Sequence, residues 1–226
     1  MNHSTPVPTE EDLNYVHPAP KKLLYPSMLP ADKLYHLVMK EKLWTSWSGD
    51  SFGIIYFGED FPDGSHKPFE VDVKGKAVSL RDRMILQDSR TKAPVAVILQ
   101  MHLKAETTFK IYTFEPNFEN QEPSENQKHD DRPLYEWAKC KDKFFSVRKT
   151  MKTADGVEYV MDGCGKVFAK HRQMVISRDG KPCMYARERT LGVFTGNQWE
   201  IQIGPGIDPA LMVAFMAVMD EMNEDK

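Results

Sequence analysis

The sequence predicts a mainly β protein in which an antiparallel sheet closes around a single buried C-terminal helix. Between about residues 33 and 203, short apolar runs alternate with turn residues, a pattern typical of a barrel or a sandwich. A stretch near the C-terminus contains ten consecutive apolar residues and has no polar face. With 226 residues, 41% of them hydrophobic, the chain can bury a sizeable core in one large domain or two small ones.

Residues 1–30 are predicted to form an irregular, proline-rich arm. Six prolines recur through it and its apolar residues show little periodicity, so neither helix nor strand is favoured. We expect the arm to lie over the domain from Leu23 onward. Residues 31–226 then form a single barrel domain.

Fifteen short segments are predicted strands, because each is an apolar or alternating run bounded by turn residues such as Asp155-Gly156 and Asp179-Gly180. Over Leu34–Trp44, local propensity alone would also allow a helix. The candidate strands are Leu34–Glu41, Phe52–Phe57, Phe69–Val73, Ala77–Leu80, Met84–Gln87, Val95–Leu103, Phe109–Phe114, Tyr135–Lys141, Phe144–Lys149, Glu158–Met161, Lys166–Ala169, Met174–Ser177, Cys183–Arg187, Leu191–Phe194 and Trp199–Ile203.

Residues 115–133 interrupt this pattern. They are rich in Glu and Asn and almost free of aliphatic side chains. Such a segment cannot bury a core of its own, so it is predicted to be a solvated, mobile loop inserted between two strands.

Asp208-Pro209 predicts the start of the C-terminal helix, with a capping side chain followed by proline at the first helical position. Ala210–Met219 reads ALMVAFMAVM, and a helix that is apolar on every side must be buried on every side or lie in lipid. Ten residues make about 15 Å of helix, roughly half the hydrocarbon core of a bilayer. Burial within the closing sheet is therefore the prediction, and a transmembrane segment is not.

The formal net charge of −3 conceals an uneven distribution. The 30 Lys and Arg against 33 Asp and Glu exclude a nucleic-acid binder that relies on bulk positive charge and a strongly acidic disordered chain. Residues 139–190, however, contain 13 basic and 6 acidic residues, a local charge of +7. Residues 114–137 contain 2 and 7, a local charge of −5. The total is thus compatible with a local anion-binding face.

Basic residues that alternate with period two share one face of a strand, and three such sets are present. Clusters of this kind on an outer barrel face would hold an anionic head group. A merely solvated outer face would carry the same residues, and nucleic acid is a third alternative, although no stacking motif accompanies the stretch. The predicted anionic-lipid ligands are Arg81, Arg83, Lys139, Lys141, Lys143, Arg187 and Arg189.

No catalytic or metal-binding motif is recognisable. The sequence lacks the GxSxG, HExxH, P-loop and EF-hand spacings, and its seven His residues show no ligand spacing. Cys140, Cys164 and Cys183 are widely spaced and are predicted to be reduced, structural thiols. We therefore expect a non-enzymatic protein without metal or cofactor.

No secretory signal or lipidation motif is recognisable either. We expect an intracellular, cytoplasmic protein, with peripheral membrane association and a nuclear location as alternatives. No protein partner is indicated.

The order of several stretches resembles a known family. The last of them is the most specific, since a strand, a Gly-Pro-Gly-Ile-Asp turn and the apolar helix follow one another directly. The stretches are Ser79–Arg83, Ile85-Leu86, Asp88, Pro94–Gln100, Phe109–Tyr112, Trp199–Asp208 and Met219–Met222. From Lys33 to Asn223 the chain resembles the LURP-one-related proteins, which share the Tubby C-terminal-like fold with phospholipid scramblases. The arm has no counterpart in that family, and the insertion at residues 115–133 is longer than the family pattern.

The resemblance implies a barrel of about twelve antiparallel strands around the C-terminal helix. It also implies functions, because Tubby domains bind phosphoinositides and scramblases are associated with lipid movement between leaflets. We therefore expect a module that binds anionic membrane lipid of the phosphoinositide type, or a signalling or stress-response adaptor. A scramblase-like protein and an adaptor with no lipid ligand are the alternatives.

Overall fold

A computed structural model describes residues 6–27, 32–41, 51–56, 71–75, 83–88, 91–103, 106–143, 148–162, 173–190 and 197–224. Within these residues the protein is mainly β, as predicted, with fourteen strands and two helices. The strands are β1 Tyr35–Glu41, β2 Ser51–Tyr56, β3 Val71–Gly75, β4 Arg83–Asp88, β5 Pro94–Leu103, β6 Glu106–Thr113, β7 Lys128–His129, β8 Arg132–Pro133, β9 Tyr135–Lys143, β10 Lys149–Thr153, β11 Glu158–Asp162, β12 Gln173–Arg178, β13 Lys181–Thr190 and β14 Asn197–Ile203; the helices are α1 Glu10–Leu13 and α2 Pro209–Glu224.

Twelve of the strands form one antiparallel sheet whose order closes on itself. The order is β1-β14-β13-β12-β11-β10-β9-β6-β5-β4-β3-β2, and β1 pairs with both end strands of that series. Leu37 lies opposite Ile201 of β14 on one side and opposite Tyr56 of β2 on the other. Closure leaves the barrel without an unpaired edge, which would otherwise invite pairing with other chains. The remaining strands, β7 and β8, make a separate hairpin.

Eleven of the fifteen predicted strands coincide with barrel strands, and β1 shows that Leu34–Glu41 forms a strand and not the alternative helix. The predicted strand Phe144–Lys149 lies mostly outside the described residues, and the strand described in this region, β10, runs from Lys149 to Thr153 and shares one residue with it. In β10 polar residues outnumber apolar ones, so its apolar signal is weak. The predicted strands Ala77–Leu80, Lys166–Ala169 and Leu191–Phe194 lie outside the described residues.

The helix α2 supplies the centre of the main core. Every residue from Ala210 to Met219 is at most 3% exposed, so these residues are buried on all sides of the helix. These residues belong to one apolar cluster with side chains of ten barrel strands, β1, β4–β6 and β9–β14. Phe215, near the middle of the helix, is completely buried.

The predicted cap of α2 is present and also holds the arm. The Asp208 carboxylate accepts a hydrogen bond from the backbone N–H of Leu211, three residues into the helix, at 3.1 Å. Its other oxygen accepts a hydrogen bond from the backbone N–H of Leu24 at 2.7 Å. Leu13 and His17 are buried as well. The arm therefore contacts the domain from Leu13 onward, ten residues earlier than the predicted start at Leu23.

The insertion after β6 is more structured than its composition suggests. It contains the β7–β8 hairpin, and the side-chain amide of Gln121 donates to the backbone carbonyl of Glu136 at 2.7 Å. Beneath it lies a second small core of outward-facing β5 and β6 residues covered by Leu134 and Phe114; the β-strand members are Val97, Leu99 and Tyr112. Outward apolar side chains on a barrel need such a cover. The single-domain organisation of residues 31–226, into which this insertion falls, stays a prediction.

Candidate functional site

The structure places the described members of the predicted anionic-lipid ligands on three separate parts of the barrel. Lys139 and Lys141 lie on β9, and Arg83 lies on β4, three strands away in the barrel order. Arg187 lies on β13, four strands from β9 in the other direction. For Lys143 and Arg189 only the backbone is described, and Arg81 lies outside the described residues. The basic stretch of the sequence is therefore spread over five strands and does not form one cluster.

Lys139 and Lys141 share the outer face of β9, as the period-two spacing predicts. The intervening Cys140 points into the main core and is 1% exposed. Lys139 is half-buried and Lys141 is exposed. Their side chains therefore project from the barrel at positions about 7 Å apart along the strand.

Two further lysines extend this face across the neighbouring strands. In the sheet register Lys139 lies opposite Lys110 of β6 on one side and opposite Lys152 of β10 on the other. Directly opposed residues have their Cβ atoms about 5 Å apart, so three ammonium groups occupy one row. We call Lys110, Lys139, Lys141 and Lys152 the basic strip.

The charges of the strip are unevenly compensated. Lys110 Nζ donates to the Glu136 carboxylate at 2.5 Å, and this is an ion pair in which both side chains are partly buried. Partial burial lowers the pKa of Lys110, but the hydrogen bond and charge of Glu136, with help from Tyr112, outweigh it and raise the pKa overall. Among the described residues, no ion pair involves Lys139, Lys141 or Lys152. The register also places Glu158 of β11 opposite Lys152, so a carboxylate flanks one end of the row, whereas Lys139 lies between two lysines. Directly opposed like charges are unfavourable.

Arg83 is turned toward the insertion and is not an open anion ligand. Its guanidinium donates to the backbone carbonyl of Lys128 at 3.1 Å and lies 2.9 Å from Nδ1 of His129. Burial beneath the hairpin lowers the pKa of Arg83, and the charge of Asp130 opposes this shift. The guanidinium of Arg83, a predicted lipid ligand, is therefore already engaged by groups of the hairpin.

Arg187 has a counter-ion on the next strand. Its Nη2 lies 2.9 Å from a carboxylate oxygen of Glu200, and this hydrogen bond raises the pKa of Arg187. The pair lines a shallow groove of about 570 Å³ on the outer face of β13, β14 and β1, together with His36, Tyr185 and Gln202. Because its charge is matched within the protein, Arg187 contributes no net positive potential there.

Sequence reasoning missed Lys110 and Lys152 because it could not supply the register between strands. Lys110 is outward in a correctly predicted strand, and Lys152 lies in the part of β10 that no predicted strand includes. Lys152 is separated from Lys139 by 13 positions along the chain, so no local spacing relates the two.

The described residues contain no cluster of three or more His, Cys, Asp or Glu side chains able to hold a metal ion. Cys140 and Cys183 are free thiols buried in the core, and burial raises the pKa of both. Cys164 lies outside the described residues. In the part of the chain that the structure describes, no helix has the length and apolarity needed to cross a membrane.

A closed antiparallel barrel with an apolar C-terminal helix in its core and a basic strip on its outer face defines the structural class of this protein. The family model described as LURP-one-related matches residues 35–220, which is most of the chain. The chain therefore belongs to the LURP-one-related family. No curated protein and no solved structure gives a significant match.

Proposed function

We propose that this protein is a non-enzymatic module that docks on anionic membrane lipids, of the phosphoinositide type, through the basic strip. The observation that carries the proposal is the row of lysines on three neighbouring strands, of which Lys139 and Lys152 form no ion pair within the described residues. Lysine ammonium groups are effective phosphate ligands as point charges. Membership of the LURP-one-related family adds the analogy with Tubby-like lipid binding, which is fold-level support only.

The expected affinity is modest. Each lysine near an anionic surface contributes about 1 kcal/mol, so Lys139, Lys141 and Lys152 together contribute about 3 kcal/mol. A multiply phosphorylated head group concentrates charge, and we therefore expect it to bind more tightly than a surface of singly charged lipids. The attraction should weaken as ionic strength rises, because exposed charges are screened within about 8–10 Å.

We also propose that α2 is the axial helix of a Tubby-like barrel. This is supported by its complete burial and by the ten strands that share its core cluster. The scramblase-like alternative would require α2 to leave that core, where its apolar residues are already buried.

Vesicle co-sedimentation tests the lipid proposal. Vesicles of phosphatidylcholine alone are compared with vesicles that also carry phosphatidylserine or a phosphoinositide. We expect binding only to the anionic vesicles, and at least tenfold weaker binding for the double variant Lys139→Glu/Lys152→Glu. The matched control is Lys21→Glu/Lys128→Glu, which changes the net charge equally at two exposed positions of the arm and hairpin.

Two results would overturn the proposal. One is negligible binding of the unmodified protein to every vesicle. The other is equal weakening by the strip variant and by the control, which would show that total charge and not the strip governs the association.

A further inference from the structure

We propose that the end of the barrel where α2 begins is an acceptor site for a proline-containing peptide. In this structure the site is filled by the chain's own arm, residues 13–24, and a partner protein with a segment of the same kind would compete with the arm. We call the site the arm acceptor and define it by Arg178, Gly204, Pro205, Gly206 and Asp208.

The arm acceptor binds the backbone of the arm at three points. The N–H of His17 donates to the carbonyl of Pro205 at 3.1 Å, and the N–H of Leu24 donates to the Asp208 carboxylate at 2.7 Å. Between them, Nη1 of Arg178 donates to the carbonyl of Pro18 at 2.7 Å. Contacts to backbone groups depend on the path of the chain more than on particular side chains, and peptide-recognition sites commonly use such contacts.

Three arm side chains are buried and act as anchors, while most of those between them are exposed. Leu13, His17 and Leu24 are 1%, 3% and 4% exposed, and Leu24 joins the main core cluster around α2. Tyr15 and Val16, in contrast, are 41% and 67% exposed. A peptide with apolar anchors separated by solvent-facing residues and prolines is thus the kind of ligand that fits.

The acceptor surface is shaped for a close approach of backbone. A Cβ atom on Gly204 would lie 2.6 Å from the carbonyl oxygen of Leu13, and one on Gly206 would overlap the carbonyl of His17. Gly206 also has φ of +76°, a conformation that glycine adopts without strain. The two glycines therefore leave room for the arm itself.

The family match includes the arm acceptor but not the arm. The LURP-one-related match covers residues 35–220 and so includes every acceptor residue, whereas the whole arm precedes it. The acceptor is part of the family domain and the segment that fills it here is not. This separation is what suggests that segments of other chains can take the same place.

A tethered arm competes with any external peptide at a high effective concentration, so the unmodified protein should bind such a peptide weakly. The test uses a fluorescent peptide with the sequence of residues 9–27 and fluorescence anisotropy on the full chain. In the variant Leu13→Asp/Leu24→Asp the arm loses two anchors but the acceptor is intact. We expect this variant to bind the peptide at least tenfold more tightly than the unmodified protein does.

Adding Gly206→Ala to the arm variant should abolish peptide binding, and a peptide carrying the same two Asp substitutions should not bind. If the double arm variant does not fold, as judged by circular dichroism, the milder Leu13→Ser variant is measured with the same peptide. A folded arm variant that binds the peptide no better than the unmodified protein would overturn the proposal, as would binding that survives Gly206→Ala. Neither result depends on lipid, so failure here is distinct from failure of the proposed function.

Discussion

The Asp208 carboxylate connects the cap of α2, the arm and the pH dependence of stability. It is fully buried, and this desolvation raises its pKa from 3.8 to about 6, although hydrogen bonds from the N–H groups of Leu24, Leu211 and Ala210 oppose the rise. The folded state therefore holds the proton more tightly than the unfolded state does. Ionisation of this group removes stability as the pH rises from about 4 to about 6.

We expect the pH dependence to be visible against the variant Asp208→Asn. The free energy of unfolding of the unmodified protein, minus that of the variant, should fall by about 2 kcal/mol between pH 4.5 and pH 7.5. Chemical denaturation at the two pH values measures it, and Glu125→Gln, at an exposed position, is the control. A difference that stays constant or rises over this range would show that Asp208 is not held with a raised pKa.

The buried thiols give a second prediction at the residue scale. Cys140 and Cys183 are at most 1% exposed and burial raises their pKa, so neither should supply a reactive thiolate. In a Cys164→Ser variant we expect a thiol reagent to modify no cysteine in the folded protein and both after unfolding in denaturant. Rapid modification under native conditions would contradict the placement of these two side chains.

At this scale the sequence predicted side-chain direction but not partners. The alternation of Lys139, Cys140 and Lys141 was sufficient to place two lysines outside and the thiol inside. The counter-ion of Arg187 could not be foreseen, because Glu200 is 13 positions away and is brought opposite by the β13–β14 register. Period two determines a face, whereas ion pairs depend on neighbouring strands.

The helix α2 is the element on which the fold depends most. Phe215 is completely buried in the main core, so Phe215→Asp places an unpaired charge there. We expect this variant to lose the cooperative unfolding transition, because a buried unpaired charge and the lost packing of Phe215 together remove a large part of the roughly 5–15 kcal/mol of stability typical of a domain. Phe215→Leu, which keeps an apolar side chain, should stay folded with a lower midpoint. An aspartate variant with unchanged melting would mean that α2 is exposed.

The strip itself offers a prediction at the scale of strands. Glu136 neutralises Lys110, so Glu136→Gln should release a fourth positive charge toward the membrane. We expect binding to anionic vesicles to strengthen by about 1 kcal/mol, roughly fivefold. Glu119→Gln, in the exposed insertion, makes the same change in net charge and is the control. Equal effects of the two variants would argue against a specific role of the strip.

Among the elements, those with a strong periodic signal were predicted and those held by tertiary contacts were not. Most barrel strands and the start of α2 could be located because apolar alternation and the Asp-Pro cap are local signals. The β7–β8 hairpin is local, but its strands of two residues each carry no apolar alternation. The anchoring of the arm is non-local, since Leu24 pairs with a carboxylate 184 positions away. No local pattern encodes such a contact.

Different parts of the barrel carry the basic strip, the Arg187–Glu200 pair and the arm acceptor. The basic strip lies on β6, β9 and β10, whereas the Arg187–Glu200 pair lies on β13 and β14. The arm acceptor lies at the end where α2 begins. Membrane docking through the strip therefore leaves the groove near Arg187 facing away from the lipid.

The orientation of the protein on the membrane is the most direct test of docking through the basic strip. An environment-sensitive dye is attached at one of two positions in the Cys164→Ser background. The first is Thr150→Cys on β10, which lies opposite Lys141 of β9, and the second is His36→Cys on β1. These strands are five apart in a ring of twelve and so lie on nearly opposite sides. With phosphoinositide vesicles that carry a lipid-borne quencher, we predict quenching of the dye at position 150 and none at position 36. Equal quenching at both positions, or quenching at position 36 alone, would contradict docking through the basic strip.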